Sequence, residues 1–250
     1  MSGHSKWASI KHKKAATDAK RGQLFMKLAR AITVAAREGG GDPDSNFTLA
    51  AAVEKAKSFS MPKDNIQRAI DRGSGAAGGD EQIERVVYEG YGAGGAAILV
   101  ETLTDNRNRT GSEVRNAFDK HNGSLGEPGS VAWQFEKKGV VLVDADRYGE
   151  EEMLGAIDAG ADDVAVDGDL LKVTTEPSSL SAVRRALEDS GVEIESAGLV
   201  MEPKSVVEVE AEPDVRALVK LMETLDDHDD VDAVHANFEI AESLLEQATA

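Results

Sequence analysis

The sequence predicts an α+β protein: a small N-terminal helical domain followed by two ferredoxin-like α/β domains, the third inserted into the second. Three observations carry this. Apolar residues recur with helical period as far as residue 72 and fall into strand-like runs beyond it. Residues 139–202 read β-α-β-β-α-β, a complete ferredoxin-like unit. The β-α-β patterns on either side, at 96–136 and 205–240, each lack a partner, and pairing them with one another leaves 139–202 as an insertion. The expected domains are 1–76, then 77–137 together with 204–250, then 138–203.

A helix is predicted over Asp18–Arg37. At about 100° per residue, Leu24, Phe25, Leu28, Ala31, Ile32 and Ala35 share one face and Lys20, Lys27, Arg30 and Arg37 another. Gly39, Gly40 and Gly41 end it, because glycine accepts the left-handed conformation of a helix C-terminus. A second helix spans Asn46–Phe59 with Leu49, Val53 and Ala56 inward. Pro62 opens a third, whose Ile66, Ala69 and Ile70 face the core and which Gly73 stops. GSGAAGGD at 73–80 reads as a flexible linker. Strands follow at 84–91 and 96–103, a helix at 109–121 and a strand at 130–136, where Trp133 alternates with Val131 and Phe135 and reads as core. The insertion comprises strands at 139–144, 163–167, 170–175 and 192–202 with helices at 149–159 and 179–190. A strand at 205–210, a helix at 213–226 and a strand at 233–240 complete the chain. Gly90, Gly92 and Gly95 match G-x-G-x-x-G, but a strand follows them where a dinucleotide site needs a helix, so they read as a hairpin connection.

Several chemistries are disfavoured. The absence of cysteine removes disulfides, thiolate zinc sites and cysteine nucleophiles, and suits a reducing cytoplasm. The N-terminus lacks the apolar stretch of a signal peptide, and no run of 18 apolar residues exists, so no membrane association is expected. His4, His12, His121, His228 and His235 never fall three or four residues apart; neither a metal nor another cofactor is expected. DDHDDVD at 226–232 lacks the glycine and terminal glutamate of a calcium loop and reads as a solvated acidic loop. No G-x-S-x-G occurs, and the chain reads as a non-enzyme.

Charge is the informative property. The formal net charge is −18, yet residues 1–72 hold 14 Lys/Arg against 7 Asp/Glu, and residues 139–250 hold 7 against 29. Residues 1–37 alone carry 9 basic residues and 1 acid. Such asymmetry points to a basic end that meets a polyanion. The candidate nucleic-acid contacts are Lys6, Lys11, Lys13 and Lys14 in an N-terminal arm, and Lys20, Arg21, Lys27 and Arg30 on the helix, read as one cationic track along a phosphate backbone. Its alternative is an intramolecular clamp onto the acidic C-terminal part. Trp7 reads as pinning the arm to its domain in preference to stacking on a base. A second patch lies in TDNRNRTGSEVRNAF at 104–118. Asp105, Asn106 and Asn108 suit a turn, Asn108 or Thr110 can cap the helix, and Arg107 and Arg109 are expected to face solvent and contact phosphate. Pairing with Glu113, Asp119 or an acidic neighbour is the structural alternative.

GHSKW at 3–7, KHKK at 11–14, DAKRG at 18–22, TDNRNRT and PGSVAWQF resemble the YebC/PmpR family, whose mitochondrial relative is the translational activator of cytochrome c oxidase. The resemblance covers the whole chain, most strongly 1–43, 60–73 and 86–136. Gln23 stands where the family commonly has lysine, which removes one charge from the helical stripe. The resemblance implies a cytoplasmic, three-domain, non-enzymatic protein that acts as a DNA-binding transcriptional regulator. The alternative it implies is a ribosome-associated translation factor that binds ribosomal RNA and relieves stalling at proline runs. A monomer is expected in either case.

Overall fold

The computed structural model describes residues 18–76, 83–241 and 244–245. Among the described residues three helices come first: α1 (Asp18–Gly39), α2 (Phe47–Ser58) and α3 (Lys63–Gly73). Leu28, Ile32, Ala35 and Ala36 of α1 close on Leu49, Val53 and Ala56 of α2 and on Ile66, Ala69 and Ile70 of α3. Asn46 ties the corner. Its Oδ1 accepts from the Leu49 N–H as the α2 cap, while its Nδ2 donates to the carbonyls of Ala35 and Gly40 at 2.8 Å. Helix α3 crosses α1 so closely that a Cβ on Gly73 would lie 2.2 Å from the Thr33 carbonyl oxygen. Gly73→Ala is therefore expected to cost about 1–3 kcal/mol through overpacking, read as a lower urea midpoint; an unchanged midpoint would show that the helices can slide apart freely.

The second domain is a sheet of order β3-β1-β2-β9, built from β1 (Glu84–Tyr91), β2 (Ala97–Thr104), β3 (Ser124–Leu125) and β9 (Val231–Ala236). Helices α4 (Arg107–Lys120) and α7 (Glu212–Asp226) cover one face, where Ile98 and Val100 pack on Val114, Phe118, Leu218, Leu221 and Leu225. On the other face Leu103 meets Val34 of α1, and Ala97 and Leu99 meet Val131 and Phe135. Both faces of β2 are thus buried, which is why its sequence is nearly continuous in apolar residues. The expected glycine-rich connection is a hairpin, turning through Gly94 and Gly95 at φ of 69° and 79°.

The insertion contains β4 (Phe135–Asp144), α5 (Leu154–Asp158), β5 (Ala161–Asp167), β6 (Leu170–Thr175), α6 (Leu180–Asp189) and β7 (Ile194–Pro203). Its order, β5-β6-β4-β7, is the ferredoxin-like one. The chain enters on β4 and leaves on β7, which are paired from Phe135↔Pro203 to Val143↔Ile194, so the two crossings between domains form one ribbon. Arg184 of α6 pairs with Glu54 of α2 at 3.0 Å and links the insertion to the N-terminal helices.

The structure corrects four local expectations. Residues 132–134 form a 3-10 turn rather than a strand, and Trp133 is 67% exposed, not core. The strand that completes the β-α-β after β2 is β3, not 130–136. The short β8 (Val207–Glu208) does not join the main sheet but pairs in parallel with β10 (Phe238–Glu239). Helix α4 begins at Arg107 with Asn106 as its cap, so Asn108 and Thr110 lie inside it.

Candidate nucleic-acid interface

The acidic run between α7 and β9 is the centre of the site. Its last residue, Asp230, prolongs the sheet by accepting the Leu103 N–H on its carbonyl at 2.8 Å, and this carries its side chain inward to 4% exposure. Oδ1 accepts from the Arg30 guanidinium at 2.8 Å. Oδ2 accepts from Arg109 and from the Thr110 hydroxyl, both at 2.6 Å. The TDNRNRT segment folds to serve this carboxylate. Asn106 caps α4 on the Arg109 N–H, and this sets Arg109 and Thr110 side by side in the first turn. Burial alone would raise the Asp230 pKa; the Thr110 hydroxyl, Arg109 and Arg30 together outweigh it and hold the carboxyl below the ordinary aspartate value.

Helix α1 lies along the same run. Gln23 donates to the Asp229 carboxylate at 3.3 Å, Lys27 to the Asp226 carbonyl at 2.6 Å, and Arg30 to the carbonyls of Leu103 and Asp229 as well as to Asp230. Positions 23, 27 and 30 are one helical stripe, three to four residues apart. The acidic run was expected to be solvated; instead it docks this stripe. The cleft between them, about 500 Å³, is also lined by Asp105, Glu113, Asp227 and His228.

Glu113, His228 and Asp230 each place a ligand-type atom within 4.8 Å of the others. Their lone pairs already have protein partners. The Asp230 N–H donates to His228 Nδ1 at 3.1 Å, which puts the neutral ring's proton on Nε2, 2.9 Å from Glu113. Two guanidinium groups hold Asp230, so a divalent cation would have to displace both. The cluster acts as an ion-pair hub.

The predicted contacts therefore separate. Lys6, Lys11, Lys13 and Lys14, with Trp7, lie outside the described residues, as does the side chain of Lys20. Arg21 is exposed, its guanidinium 5.5 Å from the Phe25 ring centre. Lys27 and Arg30 are turned onto the acidic run, so these two of the four helical cations make intramolecular contacts. Arg109, expected to reach phosphate, is held by Asp105 and Asp230 with Glu113 4.0 Å away. Arg107 is exposed, and its carbonyl accepts from the Tyr88 hydroxyl. Sequence reasoning missed two things. One is Asp230 as the hub: a clamp onto the acidic C-terminal part and pairing of Arg109 with an acidic neighbour were the alternatives weighed, but nothing local singled out this carboxylate. The other is a further basic surface: Lys55, Lys63 and Arg68 are exposed on α2 and α3, which are joined by Phe59–Pro62 with Ser60 at φ 58°.

Residues 5–76 match the TACO1/YebC protein N-terminal domain, and residues 83–238 match the TACO1/YebC second and third domain. A probable transcriptional regulatory protein of Rubrobacter xylanophilus is 57% identical over 246 residues, covering 98% of each chain. One of the same description from Persephonella marina is 52% identical over 251 residues, covering 100% of both. The crystal structure of a conserved hypothetical protein from Aquifex aeolicus, 48% identical, superposes with a TM-score of 0.85 over 95% of this chain and 98% of that one. Matches spanning both halves, relatives of equal length and a solved structure of the same shape lead to one conclusion: the chain belongs to the TACO1/YebC family.

Proposed function

We propose that this protein is a non-enzymatic, cytoplasmic regulator of gene expression that binds DNA through its basic N-terminal arm and the exposed cations of the helices behind it. The observation that carries the reading is the segregation of charge: 9 basic residues against 1 acid over residues 1–37, in a chain of net −18. Relatives named as probable transcriptional regulatory proteins support it, and so do the exposed Arg21, Arg107, Lys55, Lys63 and Arg68. Lysines on flexible stems suit phosphate contact more than base reading. The acidic remainder keeps the rest of the molecule off the duplex.

If the four arm lysines with Lys20 and Arg21 supply about five phosphate contacts, log affinity falls with log salt at a slope of about −4.5 on duplex DNA. Deleting residues 1–14 removes four of these cations and is expected to flatten the slope to about −1, weakening binding to all sequences alike. A mobility or anisotropy series in salt, with full-length and truncated protein, checks this on a DNA duplex and on a ribosomal RNA fragment. An unchanged slope after truncation overturns the reading, and tighter, less salt-sensitive binding to the RNA alone would favour a ribosomal partner.

A further inference from the structure

The insertion carries a surface that nucleic-acid binding does not use. Residues 150–169 hold eight acidic residues and no basic one. From the same stretch emerge Leu154 at 60%, Ile157 at 53% and Val166 at 64% exposure, three of the nine large apolar side chains found exposed among the described residues. Leu154 and Ile157 lie one turn apart on α5, and α5 packs on β5. Val166 stands opposite Leu171, a residue of the domain core, so it belongs to the helix-covered face of the sheet. The crossover from β4 through α5 brings the start of the helix, which carries Leu154, back toward the end of β5, which carries Val166.

Among the described residues β5 is an edge strand of its sheet, hydrogen-bonded on one side only. Alternation puts Asp163, Ala165 and Asp167 on the face opposite Val164 and Val166. Asp163 and Ala165 are exposed. Asp167 is 7% exposed, and neither of its carboxylate oxygens has a hydrogen-bond partner. Buried carboxylates normally have donors, and one without any calls for a cation from outside. Beside it Gly168, at φ 65°, has no atom within 4 Å of where a Cβ would stand, so the hairpin tip is open. Natural edges are usually blunted or covered. This one offers unpaired backbone, an apolar row on one face and an acidic row on the other.

We infer that β5 docks an extended, alternately basic and apolar segment of a partner protein, which adds to the sheet as a fifth strand. The partner's apolar side chains would lie against Val166, Leu154 and Ile157, and its arginines or lysines along Asp163 and Asp167, while main-chain hydrogen bonds close the edge. A second copy of this chain is a poor occupant, because eight acids would face eight acids. A nucleic acid is excluded by the same charge.

The test uses the full-length protein and a fluorescein-labelled peptide of about ten residues, long enough for an edge strand, in which arginine and valine alternate. Anisotropy at physiological salt is expected to show saturable binding. Val166→Lys, which adds a charge to an exposed position without touching the core, should weaken it about tenfold or more. Leu154→Ser with Ile157→Ser should act in the same direction. Asp167→Asn should also weaken it, and methylating every second backbone nitrogen of the peptide should abolish it. Absence of saturable binding overturns the inference. So does binding that survives both N-methylation and Val166→Lys, because that would be attraction to an acidic protein without strand addition. Self-association abolished by Val166→Lys would equally overturn it, showing that the edge serves a second copy. Since none of these substitutions touches residues 1–37, DNA binding measured in parallel should stay unchanged, so failure here leaves the nucleic-acid reading standing.

Discussion

Replacing Asp230 by alanine is expected to cost the protein about 2–4 kcal/mol and to loosen α1 from the sheet beneath it. The carboxylate is 4% exposed and holds Arg30, Arg109 and the Thr110 hydroxyl at 2.6–2.8 Å. Removing one partner of a buried ionic network leaves the others unpaired, which costs more than the network contributes net. The value is set somewhat lower than for fully buried pairs because Arg30 and Arg109 are 30% and 44% exposed, so water recovers part of the loss. Urea unfolding gives the number, and hydrogen exchange along α1 reports the loosening. If the N-terminal cations meet nucleic acid, the same substitution should raise affinity several-fold by releasing Arg30. Acid should weaken the wild type in a defined way. The Asp230 carboxyl titrates below the ordinary aspartate value in the folded protein, so its contribution is present above about pH 4 and is lost as pH falls through the folded value. Asp230→Ala should show less of this acid loss; an equal loss would mean that other carboxylates dominate it.

Glu89→Ala is expected to be the second severe substitution, at about 3–5 kcal/mol. Glu89 is 7% exposed on β1, and its carboxylate accepts three backbone N–H groups, from Gly129 at 2.7 Å, Val131 at 2.8 Å and Ala132 at 2.7 Å. Bonds to a charged acceptor are worth about 1.5–3 kcal/mol each, and orphaned buried N–H groups add to the loss. Glu89→Gln preserves the shape but turns an amide donor toward these donors, so it should rescue only part of the stability. Burial pushes the Glu89 pKa up, and the three amides bring it down further, to a net value below the ordinary one; its contribution too is kept above about pH 4 and lost as pH falls through the folded value. Exchange of the amides at 129, 131 and 132 is the direct readout. Protection unchanged in Glu89→Ala would show that the loop is held by Val131 and Phe135 packing alone.

The glycine and proline punctuation around 39–41, 62 and 73 made the three N-terminal helices legible, because each break has a local cause. The insertion was legible for a different reason: two β-α-β patterns without partners can satisfy their edges only with one another, as β9 does against β2. Trp133 was misread because alternation of Val131, Trp133 and Phe135 is shared by a strand and by a 3-10 turn, where neighbours two apart need not face the same way. The outward turn is imposed by Glu89, which takes the N–H of Ala132 43 residues on, together with an indole N–H that donates to the Ser130 carbonyl. The candidate site was legible only by charge. Arg107 and Arg109 are two residues apart in one motif and both are exposed, yet only Arg109 reaches the carboxylate of the hub. The difference lies in Asp230, more than 120 residues away, and no local pattern carries it.

The docking of α1 on the acidic run also has a bearing on selectivity. Asp226, Asp229 and Asp230 are held by the fold of the same chain directly against Lys27 and Arg30, the first two through their carbonyls, and so face them at hydrogen-bond range whatever the concentration of anions in solution. An isolated phosphate at ordinary cellular levels competes poorly against such a tethered rival. A ligand that presents many phosphates in a row brings its own high local concentration and can displace the run at several points together. The fold thereby sets a threshold of charge density, below which the inner stripe of α1 stays closed and above which it becomes one more surface for the same ligand.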